Sequence, residues 1–153
     1  MNTKHIKIGF KINGLLILGV ILVSCATSSG PKISIESAWG RSSPKVATAG
    51  AFYMLIKNSG SETDKLVGGK SSACGVVELH ESFMTENGAM GMRAVDGGAI
   101  EVPAGGEVQF KMGGLHIMCI DKLEIFDIGA VFPLTLEFEK SGNLSVDVEI
   151  LEP

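Results

Sequence analysis

The stretch "FPLTLEFEKSGNLSVDVEI", Phe132 to Ile150, decides the fold class. Leu134, Leu136 and Phe138 alternate with polar neighbours, "SGN" reads as a turn, and Leu144, Val146, Val148 and Ile150 alternate again. Successive side chains of a strand point to opposite faces, so this pattern buries one face of a hairpin and wets the other. Toward the N-terminus similar short runs recur: "ISIESAW", "AGAFYMLIK", "TDKLVG", "CGVVELHESFM", "AMGMRAV", "EVQFK" and "LHIMCI". About nine short strands without a long amphipathic helix predict an all-β sandwich or barrel. The Gly pairs at 68–69, 97–98, 105–106 and 113–114 read as inter-strand turns needing positive φ.

The chain has 153 residues, the length of about one domain. Residues 1–24 read as a signal peptide, with Lys4, Lys7 and Lys11 ahead of the apolar run "GLLILGVILV", which is short for a membrane span and suited to a signal core. This leader ends in "LVSC", Leu22 to Cys25, which resembles the lipobox of bacterial lipoproteins. The resemblance implies a lipidated Cys25, a short linker to residue 32, and a domain over 33–153 anchored outside the cytoplasm in the bacterial cell envelope. Losing three Lys leaves 10 basic against 17 acidic residues, a net charge near −7, which argues against nucleic acid and against membrane contact beyond the lipid. Cys74 and Cys119 then form an even pair in an oxidising compartment, where both a disulfide and two buried thiols fit.

Soft donors crowd into one window. The chain has three His and seven Met, and His80, Met84, Met90, Met92, His116 and Met118 fall between residues 79 and 118. In "HIM" strand alternation puts His116 and Met118 on one accessible face and Ile117 and Cys119 on the other. A two-residue Asn87-Gly88 turn would place Met92 opposite His80. A three-residue "ENG" loop with Gly88 left-handed would pair Met84 with Met90, and residue 82 with Met92, and so put His80, Met84, Met90 and Met92 on one face. Imidazole with thioether lacks the carboxylates of Ca²⁺ or Mg²⁺ sites and the thiolates of structural zinc, and it favours Cu(I). The bland alternative is a set of core-filling Met residues.

The run "ELHESFMTENGAMGMRAVDGGAIEVPAGGEVQFKMGGLHIM" resembles the PCuAC family of periplasmic copper(I) chaperones, here as a lipoprotein. The likeness extends to "AWGRSSPKVATAGAFYMLIKNSGSETDKLV" and "FPLTLEFE". It implies a Greek-key, cupredoxin-like β-sandwich and metal ligands at His80, Met92, His116 and Met118, with Met84 and Met90 as accessory donors. It further implies that the cargo is Cu(I), carried to an apo copper protein such as the CuA centre of a haem-copper oxidase. Glu81 stands where some members have a second Met, the interval from Met92 to His116 is slightly long, with its surplus expected at "DGGA", and the His/Met-rich tail of some members is lacking. Trp39, Arg41 and Tyr53 match family positions and read as packing and surface residues.

Three rivals are distinguishable. An enzyme is disfavoured by the lack of a His-Glu-x-x-His pattern, a nucleophile beside a partner His, or a spare His. An electron-transfer cupredoxin needs a thiolate with two His, which would require Cys119. A copper-buffering lipoprotein would share the site and differ in having no recipient.

Overall fold

The computed structural model describes residues 29–152; the signal peptide, Cys25 and the start of the linker lie outside the described residues. Ten strands form: β1 (Ile33–Arg41), β2 (Ala49–Asn58), β3 (Asp64–Ser71), β4 (Cys74–Met84), β5 (Met90–Ala94), β6 (Ile100–Val102), β7 (Glu107–Phe110), β8 (Leu115–Lys122), β9 (Val131–Phe138) and β10 (Gly142–Leu151). Sequence reading missed β6, whose three residues are too few to show alternation before Pro103.

The β9–β10 hairpin pairs Leu136 with Leu144 and Leu134 with Val146, but its turn lies at 139–141, earlier than "SGN". Asp64 accounts for the shift: its carboxylate accepts the backbone N–H groups of Lys140 and Ser141, each at 2.9 Å, and so draws the loop onto β3. Gly68 and Gly69 also depart from expectation. They lie inside β3, where the pairing with β9 shifts register after Leu66, and neither has positive φ. A Cβ on Gly69 would come within 2.9 Å of the Thr135 carbonyl oxygen, so close backbone approach, and not a turn, selects glycine there.

The strands hydrogen-bond in the order β5-β4-β8-β2-β1-β10-β9-β3-β6, with β7 also on β2. The two end strands, β5 and β6, follow one another in the chain and are joined through a 3-10 turn at Asp96–Gly98, so the sheet curls until its ends adjoin. That turn falls within "DGGA", a segment that reads as a turn in the sequence. β1 makes a corner: its pairing with β2 shifts register between Glu36 and Trp39, Ser37 takes a φ of 51°, and Trp39 to Arg41 run parallel to β10. Such a bulge lets one strand serve both layers of a sandwich. Phe52, Ile56 and Ile117 from one half pack with Leu66, Leu134, Leu136, Val148 and Ile150 from the other in a single core. The architecture is the expected Greek-key, cupredoxin-like sandwich.

Candidate metal centre

Pairing register gathers the soft donors. Across β4 and β8, His80 stands opposite His116 and Glu78 opposite Met118. Across β4 and β5, Ser82 faces Met92 and Met84 faces Met90. Cross-strand partners share a face, so all six donors lie on the side away from Ile117 and Cys119, both fully buried in the core. The hairpin between β4 and β5 is the three-residue type. Thr85 N–H donates to the Ala89 carbonyl at 2.8 Å, and Gly88 sits at φ 78°.

β7 and β8 lie in line along the same edge of β2, pairing with Met54–Lys57 and Ala49–Phe52 respectively. Between them residues 111–114 bulge outward: Lys111 N–H donates to the Leu115 carbonyl at 2.8 Å, Gly114 N–H to the Lys111 carbonyl at 3.0 Å, and Gly113 takes a φ of 74°. The Gly114 carbonyl accepts bonds from Ser82 N–H and from His116 Nδ1, each at 3.0 Å, tying the bulge to both strands of the site. The bulge thereby brings Met112 to a cavity of about 380 Å³ that Met92, His116, Met118, Tyr53 and Arg41 also line.

The His nitrogens carry the chemistry. His116 donates Nδ1–H to a backbone carbonyl and His80 donates Nε2–H to the Glu78 carboxylate at 2.8 Å. Each ring is left with one lone-pair nitrogen, His116 Nε2 and His80 Nδ1, and both are buried without a hydrogen-bond partner. A carboxylate or carbonyl behind each ring is the usual support of a metal-binding imidazole. The ring centroids are 5.9 Å apart. Two imidazoles sharing an ion at the usual metal–nitrogen distance of about 2.0–2.1 Å have centroids at most roughly 6.5 Å apart, so the separation fits.

Among the described residues no three His, Cys, Asp or Glu side chains form a metal-binding group, and the soft donors on the same face are thioethers. Met92 and Met118 line the same cavity as His116. Met84 and Met90 share the face but do not line that cavity, and at 64% and 56% they are about as exposed as Met92 at 63%. Glu81 bonds Arg93 at 2.8 Å instead of joining the donors.

Three expectations need revision. His116 is buried, at 3% exposure, because the bulge and the rings of Tyr53 and His80 cover it. Tyr53 and Arg41 line the cavity and so wall the site as well as pack, whereas Trp39 packs tilted against Tyr53 with ring centroids 4.7 Å apart; burial raises the Tyr53 phenol above its ordinary value, with Arg41 partly opposing. Met112 and Glu78 went unassigned. Strand alternation from His80 would have placed Glu78 on the donor face, whereas nothing local reveals that the Met112 loop interrupts a strand. The two Cys, left open by sequence, form a Cys74–Cys119 disulfide with Cα atoms 5.3 Å apart. Bridged, Cys119 offers no thiolate for blue copper.

Fold and donor set together define a cupredoxin-like domain of the PCuAC type. The chain belongs to the LpqE-like family, whose model, described as "Putative lipoprotein LpqE-like", matches residues 33–150. It is 31% identical over 140 residues to "Putative lipoprotein Lxx21020" of Leifsonia xyli subsp. xyli, covering 90% of this chain and 82% of that protein. Among solved structures it is similar to the copper-bound PCuAC domain from PmoF2, with a TM-score of 0.66, 30% identity, and coverage of 80% of this chain and 94% of that one. The apo PCuAC domain from PmoF1 superposes with a TM-score of 0.67 at 26% identity, covering 80% and 95% of the two chains.

Proposed function

We propose that this protein is an extracytoplasmic Cu(I) chaperone that holds its ion with His80, Met92, His116 and Met118 and passes it by ligand exchange to an apo copper protein, such as the CuA centre of a haem-copper oxidase. The observation that carries this reading is the pair of buried, unpartnered nitrogens, His80 Nδ1 and His116 Nε2, on neighbouring rings, of which His116 lines a cavity shared with Met92 and Met118. A buried polar atom without a partner costs free energy, and an ion between the rings removes that cost for both. Neutral thioethers add no negative charge, so the monovalent, soft ion is favoured over its divalent form. The copper-bound PCuAC domain from PmoF2, 30% identical to this chain, supports copper as the ion. Lipidation at Cys25 holds the domain at the envelope, a reading supported by the lipoprotein description of the Leifsonia relative.

The test is an anaerobic competition titration of the full chain against a Cu(I) chelator and against Zn²⁺. Tight retention of one Cu(I) with weak zinc binding is expected, and equal retention of zinc overturns the site. Fractionation tests the anchor, since Cys25→Ala should leave the membrane fraction or stay unprocessed; identical behaviour of variant and wild type overturns lipidation.

A further inference from the structure

Three exposed methionines outside the four proposed ligands remain unexplained. Met84, Met90 and Met112 are 64%, 56% and 47% exposed, while Met54, the other described Met outside the site, is buried in the core. Flexible apolar side chains left in water on one surface call for an explanation. Two of them are direct cross-strand partners, Met84 and Met90 at the mouth of the β4–β5 hairpin, where Cβ atoms stand about 5 Å apart. The third projects from the bulge, and the two elements touch: a methyl built on Gly113 would lie 4.0 Å from Met90 Cε. The bond from Ser82 N–H to Gly114 O fixes the hairpin against the bulge.

We propose that Met84, Met90 and Met112 form a second, outer Cu(I) site of thioethers alone, from which the ion is relayed to the inner site through Met92. This inference builds on the Cu(I) reading of the inner centre. Met92 follows Met90 by two residues on the same face of β5 and lines the inner cavity, so it can exchange its sulfur between the two positions. No carboxylate stands between the two sites on that face: Ser82 lies opposite Met92, and Glu81 is engaged with Arg93. An uncharged site of thioethers alone binds a soft monovalent ion more weakly than a set that adds two imidazoles, which is the gradient an inward relay needs. The transfer involves no redox change; Cu(I) keeps its charge and one Cu–S bond forms as another breaks.

The experiment follows the methionine methyl groups of the full chain by ¹³C NMR during anaerobic titration with Cu(I), repeated with Ag(I). The expected result is that the Met92 and Met118 methyls shift with the first equivalent and those of Met84 and Met90 with the second, while Met112, which also borders the inner cavity, moves in both steps. The double variant Met84→Leu, Met90→Leu should lose only the second equivalent, with an unchanged melting temperature because both side chains are exposed. If the outer methyls stay put through the second equivalent, the outer site is overturned and the patch is left as a contact surface for another protein. If the outer methyls shift while Met92 and Met118 do not, the outer site stands and the inner assignment falls. A variant that retains both equivalents overturns the outer site alone.

Discussion

At the scale of the residue, alternation along β8 assigns opposite duties to neighbours. Met118 is half-buried on the donor face, and Leu keeps nearly its shape, so Met118→Leu should change stability by less than about 1.5 kcal/mol while weakening Cu(I) binding sharply. Ile117 is fully buried in the core, and Ile117→Ala should cost about 2–5 kcal/mol through transfer and cavity terms, with smaller effects on copper. His116 unites both duties. Its ring is buried and bonds the Gly114 carbonyl, so His116→Ala should lose copper and also lower the melting temperature. Thermal melts and Cu(I) titrations of the three variants check this, and undiminished affinity in Met118→Leu would remove that ligand.

At the scale of the element, the bulge at 111–114 is the piece whose shape matters most to the site. Gly113 sits at φ 74°, and a Cβ there would meet only Met90 Cε, at an ordinary contact distance of 4.0 Å, so Gly113→Ala tests chiefly the backbone conformation. It should cost about 1–2 kcal/mol by denaturant melt, the usual penalty of a left-handed L-residue. A neutral outcome would mean that the bulge relaxes freely. Legibility differs between elements for physical reasons. The three-residue hairpin around Gly88 was readable because loop length, a left-handed glycine and the positions of the Met residues are all local. The bulge was not, because "FKMGGLH" reads as a turn between two strands, and only their shared partner β2 shows that they are one edge interrupted. The number of strands was nearly legible, since most are long enough to alternate. Their order was not, since pairing between β1 and β10 depends on a bend at Ser37 that carries no signal of its own.

At the scale of the whole molecule, two ties fasten neighbouring strands, one within each half of the sandwich. One is Asp64, buried at 1% exposure and accepting backbone bonds from Lys65, Lys140 and Ser141. Burial alone would push its carboxyl up, but the bonds donated by Ser141, Lys140 and Lys65 outweigh it and hold it below the ordinary Asp range. A lowered folded-state value means stability that is fully present above the unfolded value of about 3.9 and lost as pH falls through the folded one. Melting temperature should therefore drop below about pH 4 in the wild type, and Asp64→Asn should start lower and fall less steeply there; parallel curves would show that Asp64 is not the responsible group. The other tie is the Cys74–Cys119 bridge, which closes a separation of 45 residues and joins the strands bearing His80 and His116. Replacing both Cys by Ala should cost about 2–5 kcal/mol in a denaturant melt.

That bridge also sets a sequence of events in the life of the molecule. In a newly made chain in a reducing compartment Cys74 and Cys119 are free thiols, which are stronger ligands for Cu(I) than any thioether and would compete for the first ion met. Once oxidised they are silent, and the two strands are locked beside each other before any metal arrives. Loading on the His and Met donors therefore requires that oxidation come first, and a chain matured under reducing conditions and offered Cu(I) should carry it on sulfur from cysteine, a difference that X-ray absorption at the copper edge would register.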